Sequence, residues 1–226
     1  MISNLNQVIS VPVPSQTDSY IPVSNSHLID SVKNQLSSNG LCVTGEQYEL
    51  SKNGLQMFGS MSISTNDSIM VKEFGFRNSY DKSLPVGFVS GSKVLVCSNL
   101  MFRGDIILMR KHTLNVYEDF EKLLSLAVSG INTQFNSIQK EYERMNRIPV
   151  SDTEAAHLTG EMYFKNKIKV THVAIIRKEW NDTYTNKTAW DFCQCTTEAL
   201  KKHSVRSGMN MITQSYNFLI QHFSLN

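Results

Sequence analysis

The chain has 226 residues, which is enough for one large domain or two small ones with a substantial hydrophobic core. Its composition, 41% hydrophobic and 19% charged, is typical of a soluble globular protein and excludes a collagen-like or largely disordered chain. A formal net charge of +2 is too small to predict non-specific nucleic-acid binding by the chain as a whole.

The sequence predicts a cytoplasmic protein that does not enter a membrane. No stretch approaches the roughly 20 apolar residues of a membrane span, and the N-terminus lacks the features of a signal peptide. Four cysteines at irregular spacing are too few for a disulfide framework. Cys42 and Cys97 lie in apolar runs and are expected to be buried thiols.

Residues 1–25 are predicted to form an extended arm, because prolines alternate with β-branched residues at Val11-Pro12-Val13-Pro14. Such an arm would lie along its own sheet or contact a neighbouring subunit. The arm leads into a short helix predicted over 27–36, with Ser24 or Ser26 as its N-cap.

The next part of the chain predicts a β-meander. Strands are expected over 41–50 and 55–64, joined by Asn53-Gly54, which is the strongest short signal for a hairpin. A third strand is expected over 69–76, where the chain continues the meander.

Further apolar runs predict three more strands. The runs 86–89 and 94–97 are expected to form a hairpin around Ser90-Gly91-Ser92. A last strand over 106–109 is expected to follow a turn at Arg103-Gly104-Asp105.

The second half of the chain predicts helices. Apolar residues recur every three or four positions over 116–145, which predicts a helix of about 30 residues, roughly 45 Å long, with a possible bend at Gly130. Ser151 and Glu154 have capping-box spacing for the next helix. Shorter helices are expected over 171–180, 189–203 and 209–223.

The fold class is therefore predicted to be α+β. We expect an antiparallel β-meander and hairpin sheet packed against a long helix, followed by a helical C-terminal half. Residues 26–226 are predicted to form a single domain, β-rich over 26–114 and helical over 115–226.

An enzyme is not predicted. Cys97 and His112 would be a nucleophile and its base, but no orienting acid accompanies them, and a packed thiol is the favoured interpretation. Cys193-Gln194-Cys195 is too tightly spaced for a zinc hook, and His157 with Glu161 lacks the second histidine of a helical zinc motif. Neither a metal nor another cofactor is expected.

The central block favours nucleic-acid binding. Residues 70–112 contain seven basic and three acidic side chains, a local charge of +4, whereas residues 1–69 carry −3. Phe74 and Phe76 interleave with the cations, and single strands are bound by cations that contact phosphates and aromatic faces on which bases stack. The alternative is that both rings belong to the core. The predicted contact residues are Lys72, Arg77, Tyr80, Lys82, Arg103, Arg110, Lys111 and His112.

Three motifs in this block resemble a known family. They are Arg77-Asn78-Ser79-Tyr80-Asp81-Lys82-Ser83, Val96-Cys97-Ser98-Asn99-Leu100 and Arg110-Lys111-His112-Thr113. The resemblance is to the phage/plasmid-like family catalogued as domain of unknown function 932, whose pattern has His and Asp where this chain has Tyr80 and Ser98. Lys178-Glu179-Trp180 and Thr188-Ala189-Trp190 match its helical tail. The resemblance implies a bacteriophage or plasmid origin and the host cytoplasm as location.

The element order is also similar to the β-β-β-α core of the Rad52-like single-strand annealing proteins. This resemblance implies a homo-oligomer that binds single-stranded DNA and anneals strands in recombination without catalytic side chains. The alternatives are a non-enzymatic phage interaction protein, such as a host-defence inhibitor that binds a protein or a ligand, and a virion structural protein. Convergence of the predicted cations on one face would favour DNA binding over either alternative.

Overall fold

The computed structural model describes residues 2–66, 70–94, 99–200 and 205–224, with side chains described outside Ile2, 92–107, 205–210 and Thr213. Within these residues the strands are β1 (Ile2–Ser3), β2 (Val43–Leu50), β3 (Gln56–Ile63), β4 (Met70–Ser79), β5 (Val86–Val94) and β6 (Asn99–Arg110). The helices are α1 (Leu5–Ile9), α2 (Asn25–Ser38), α3 (Val116–Ser129), α4 (Ile131–Met145), α5 (Asp152–Phe164), α6 (Val170–Asp182), α7 (Ala189–Leu200) and α8 (Val205–Ser224).

The strands form one sheet in the order β1 to β6, so that each strand lies beside its neighbour in the sequence. The β1–β2, β2–β3 and β3–β4 pairs are antiparallel. The hairpin between β2 and β3 turns where the sequence predicts it, because Gly54 adopts a φ of +73° and its amide donates to the Ser51 carbonyl at 2.9 Å. The α+β class and the helical C-terminal half are confirmed.

One set of cross-strand neighbours in this meander requires glycine at position 59. Gly59 pairs with Tyr48 on one side and with Phe76 on the other. The rings of Tyr48 and Phe76 meet edge to face at 6.3 Å between centroids. A Cβ atom at Gly59 would overlap the ring of Phe76. The aromatic ring therefore covers the bare backbone of Gly59, which stabilises a glycine within a strand.

The predicted turns at Ser90-Gly91-Ser92 and Arg103-Gly104-Asp105 are wrong, because β5 and β6 run through them. Ser90 is buried, and its hydroxyl donates to the carbonyl of Ala127 in α3 at 3.2 Å. Ser90 therefore lies in a strand that packs against α3, and it does not belong to a turn. Cys97 lies between β5 and β6 in the sequence and falls outside the described residues. Cys42 was predicted to be buried but is exposed.

The N-terminal arm is not extended throughout. Helix α1 begins after Asn4, whose side chain accepts from the Gln7 amide at 2.9 Å while the Gln7 side chain accepts from the Asn4 amide. This capping box begins a helix before the first proline is reached. Val8 on the helix is fully buried, so the arm belongs to the core.

The helix predicted over 116–145 is two helices. Helix α3 ends and α4 begins on either side of Gly130, which keeps right-handed dihedral angles of −79° and −12°. The Gly130 amide donates to Leu126 at 3.3 Å, and its carbonyl accepts from Gln134 at 3.0 Å. The interruption is therefore local and lies at the predicted bend.

Contacts divide the chain into two compact units, Met1–Lys93 with Asp105–Phe135, and Val94–Gly104 with Asn136–Asn226. In the first unit, Phe88 packs against Phe74 and against Phe120 of α3 at 6.1 and 5.8 Å between centroids. The core of the second unit contains both tryptophans. Trp180 meets Phe192, and Trp190 meets Tyr142, edge to face at 5.7 and 5.0 Å.

Candidate functional site

The end of β4 is attached to the N-terminal arm by buried hydrogen bonds. The Asn78 side-chain amide donates to the Val23 carbonyl at 2.7 Å and to the Asn25 side chain at 2.9 Å. The Asn25 amide donates to the Tyr80 hydroxyl at 2.8 Å. Asn78 and Tyr80 are both buried, so these residues of the first family motif have structural roles.

The four residues after Tyr80 form a tight turn. Asp81 accepts hydrogen bonds from the Ser83 hydroxyl and, at 3.0 Å, from its amide, and Gln56 donates to the other Asp81 oxygen at 2.9 Å. Burial opposes ionisation of the carboxyl group, but these hydrogen bonds outweigh it and lower the pKa of Asp81. Lys82 adopts a φ of +62°, a left-handed conformation uncommon for a residue with a side chain. The turn thus fixes the direction in which Lys82 leaves the sheet.

The arm crosses this turn and contacts the third motif. The Ile21 amide donates to the His112 carbonyl at 3.1 Å. The Tyr20 ring contacts both Lys82 and His112: the Lys82 ammonium is 4.7 Å from its centroid, and the imidazole ring is 5.4 Å away. Two motifs that are about 30 residues apart in the sequence therefore meet at one tyrosine.

These segments border an open cleft of about 350 Å³, which we call the basic cleft. Lys82 and Lys111 are exposed at its edge. The turn that ends β4 supplies one side of the cleft, the segment after β6 supplies another, and the arm supplies the third. Its lining residues are Ser19, Tyr20, Lys82, Ser83, Leu84, Pro85, Lys111, His112 and Thr113.

His112 is the most unusual residue of the basic cleft. It is only 6% exposed, and neither Nδ1 nor Nε2 has a hydrogen-bond partner among the residues that the structure describes. Burial disfavours the charged imidazolium and lowers the pKa of His112. A neutral imidazole carries one donor and one acceptor, and leaving both unpaired in a buried place is costly. His112 thus places two enclosed nitrogens, without a partner among the described residues, in the wall of a cleft that Lys82 and Lys111 also line.

The other predicted cations do not join this cluster. Lys72 lies over the ring of Phe135 at 5.5 Å, and Arg77 donates to the sulfur of Met109 at 2.8 Å. Arg110 forms an ion pair with Asp119 at 2.8 Å. The side chain of Arg103 lies outside the described residues. Of the eight predicted contact residues, the structure brings together Lys82, Lys111 and His112.

The aromatic half of the predicted DNA surface is not available at the sheet. Phe74 and Phe76 are 0% and 3% exposed, so the core interpretation of these rings is correct. Tyr80 is buried and does not line the cleft, and burial raises the pKa of its hydroxyl. No base can stack on any of these three rings in this conformation.

A metal-binding cluster and a membrane-spanning helix are both absent from the described part of the chain. No three His, Cys, Asp or Glu side chains there lie close enough together to hold a metal ion. Among the same residues, no helix is long and apolar enough to cross a membrane.

The comparison with protein families places the chain. A family model described as "Domain of unknown function (DUF932)" matches residues 12–217, which is most of the sequence. The chain belongs to the DUF932 family. No curated protein and no solved structure matches it. In this DUF932 protein the matched range contains every lining residue of the basic cleft.

Sequence reasoning missed the contribution of the arm to the site. Tyr20 and Ser19 lie about 60 residues before Lys82, in a stretch whose pattern indicates only extended chain. Tyr20 makes an isolated bridge with Thr17, and this two-residue pairing produces no periodicity that a sequence pattern would show. The sequence did indicate the other two sides of the cleft, through the two charged motifs that contain Lys82 and Lys111.

Proposed function

We propose that this DUF932 protein binds single-stranded DNA without catalysis, and that the basic cleft contacts its phosphate groups. The observation that carries the proposal is the convergence of Lys82, Lys111 and the buried, unpaired imidazole of His112 on one cleft. Phosphate oxygens are strong acceptors, and they would accept hydrogen bonds from the two ammonium groups exposed at this cleft.

Each residue has a separate part in such binding. The two ammonium groups screen phosphate charge at the edge of the cleft, where their interactions depend on salt. His112 forms part of the wall, and its nitrogens are enclosed there without a partner among the described residues. A hydrogen bond from its neutral N–H to a phosphate oxygen would be stronger in this place than in water. Thr113 lines the same cleft, and its hydroxyl group would be a further donor.

The test is binding to a fluorescein-labelled oligothymidylate, measured by fluorescence anisotropy over a salt series. The double variant Lys82→Ala/Lys111→Ala is compared with Lys122→Ala/Lys178→Ala, which removes the same charge from two exposed lysines that do not line the cleft. Each phosphate contact contributes about 0.7 to the slope of log affinity against log salt for single strands. The cleft variant should therefore have a slope shallower by about 1.4, and the control should not.

Several outcomes contradict the proposal. Equal slopes for the two double variants would show that the cleft contributes only its net charge. A wild-type protein that does not bind the oligonucleotide at low salt would exclude single-stranded DNA as its partner.

His112→Asn is a third variant that keeps a donor and an acceptor, and it should weaken binding less than His112→Leu does.

A second candidate function is capture of a small phosphorylated ligand, which would suit a phage protein that interferes with host signalling or defence. The size of the cleft favours it, because about 350 Å³ lies at the low end of the range for small-molecule sites. Isothermal calorimetry with thymidine monophosphate separates the two. Saturable binding of the mononucleotide, lost in the cleft variant and without oligonucleotide binding, would assign the cleft to a free nucleotide.

Strand annealing by a homo-oligomer in the host cytoplasm is the more specific role that we propose for a DNA-binding activity. It is supported by the resemblance of the β-meander followed by a helix to the Rad52-like core. Annealing of complementary labelled strands, with the cleft variant as the control, tests this role. Light scattering of the protein with and without DNA tests the oligomer.

A further inference from the structure

Exposed aromatic rings and lysines occur together in the second unit, at the end of α5 and in the loop that leads to α6. Residues 163–170 read Tyr-Phe-Lys-Asn-Lys-Ile-Lys-Val and contain three lysines and no acidic residue. Phe164 is 84% exposed, so nearly its whole ring is in water. Tyr163 and Val170 are also exposed, at 43% and 67%. We call residues 163–170 the aromatic-basic loop.

Hydrogen bonds at the end of α5 fix this loop. Asn166 has a φ of +56°, its amide donates to Tyr163 at 3.0 Å, and the Lys167 amide donates to Met162 at 2.9 Å. These two bonds form a Schellman motif, a common ending of helices. The Lys167 carbonyl accepts from the Ser215 hydroxyl of α8 at 3.1 Å.

The lysines of the loop have different surroundings. Lys165 lies over the ring of Phe218 at 5.0 Å and pairs with Glu161 at 2.6 Å. Lys169 is exposed, and Ile168 between the lysines is buried. Tyr163 meets the Phe164 ring edge to face at 5.8 Å, so that two aromatic side chains share the surface.

We infer that the aromatic-basic loop is a second contact for single-stranded nucleic acid, on which a base stacks against Phe164 while lysines contact the adjoining phosphates. The inference rests on the proposed function for its partner but assigns a different site and a different interaction. A ring held in water by a fixed turn costs little entropy when a base covers it. Stacking on such rings is tolerant of sequence.

Charge and shape favour this partner over a lipid surface. The lysines complement an anionic partner of either kind. Binding in the plane of a membrane, however, uses a continuous apolar helix face, whereas this loop exposes two rings and one valine beside the lysines. A strand of nucleic acid requires only isolated stacking surfaces beside cations.

The experiment compares wild type, Phe164→Ala and Phe164→Trp on a labelled oligothymidylate and on an oligonucleotide of equal length with abasic sites. Leu126→Ala is the matched control, because Leu126 is 59% exposed on α3. Loss of one stacked base lowers affinity by at least about fivefold. We expect that loss for Phe164→Ala on the base-bearing strand only, and we expect Phe164→Trp to retain wild-type affinity.

The outcomes separate this inference from the proposed function. Normal affinity in Phe164→Ala together with weakened binding in Lys82→Ala/Lys111→Ala would contradict binding at the aromatic-basic loop and support binding at the basic cleft. Weakened binding in Phe164→Ala together with normal affinity in Lys82→Ala/Lys111→Ala would contradict the cleft and support the loop. An equal loss for Phe164→Ala on both oligonucleotides excludes stacking, and wild-type protein that binds neither oligonucleotide overturns both sites. Phe164-dependent sedimentation with phosphatidylglycerol vesicles, without oligonucleotide binding, would assign the loop to membranes.

Discussion

Substituting Gly59 tests the packing of the sheet in a way that a simple loss of contacts does not. An added methyl group at this position overlaps the ring of Phe76, which is buried and also contacts Tyr48. The ring must leave its place or the strands must separate. Inserting one carbon atom into a well-packed core usually costs about 1–3 kcal/mol, so Gly59→Ala should lower the free energy of unfolding by that amount.

A double-mutant cycle isolates the cause. Phe76→Ala alone should cost about 3–5 kcal/mol because it leaves a cavity. In that background the methyl group at position 59 has room, and alanine in place of glycine should stabilise the strand by roughly 0.5–1 kcal/mol. The two substitutions should therefore show a favourable coupling of at least about 1.5 kcal/mol.

Urea denaturation followed by circular dichroism measures all four proteins of the cycle. Gly45→Ala is the matched control, because its methyl group would lie 3.7 Å from Ser62, an ordinary contact distance. Additive free energies for Gly59→Ala and Phe76→Ala would refute the reasoning, since the ring would then not be what excludes a side chain. An equal cost for Gly45→Ala would show that any strand glycine behaves in this way.

Two further predictions concern the residues around the basic cleft. Asn78→Ala should lower the free energy of unfolding by about 1–3 kcal/mol for each acceptor left unpaired in the arm, and an unchanged urea midpoint would contradict the role of Asn78 as an anchor. For His112, burial lowers the pKa in the folded protein below the unfolded value of about 6.5. Below that pH the unfolded chain binds a proton more readily, so stability should fall as pH decreases from about 6.5 towards the folded pKa and stay constant above it. His112→Phe should remove this dependence, and identical pH profiles of the urea midpoint for the two proteins would contradict it.

Local chemistry in the sequence was sufficient to predict most of the elements. Asn53-Gly54 marked the β2–β3 hairpin because a left-handed turn needs glycine. Ser151 capped α5, its hydroxyl accepting from the Glu154 amide at 3.2 Å. Such signals depend on neighbours in the chain, which the sequence contains.

The errors arise where tertiary contacts decide. Ser90 belongs to a polar and glycine-containing triplet that resembles a turn, but it contacts Ala127 of α3, 37 residues later. Phe74 and Phe76 were placed correctly on a strand, yet the sheet face that they occupy is covered. Whether a ring faces core or water depends on the layer packed above it, which strand periodicity does not contain.

For the candidate site, the sequence indicated the two charged sides of the basic cleft but not the side that the N-terminal arm supplies. Lys82 and Lys111 belong to motifs that stand out by composition. Tyr20 has its role only because the arm folds back across the end of β4. The exposure of Phe164 was equally hidden, since an aromatic residue near the end of a helix is more often part of a core.

The attachment of the arm has a practical consequence for how this protein is produced and divided. The family match begins at residue 12, and a fragment designed from that boundary would omit α1 and Val8. It would uncover the pocket that Val8 fills and remove the carbonyl to which Asn25 donates at 3.2 Å. Expression fragments and affinity tags should therefore respect Ile2 as part of the folded body, and a screen of N-terminal deletions by yield and protease resistance should show a sharp drop between residues 4 and 9.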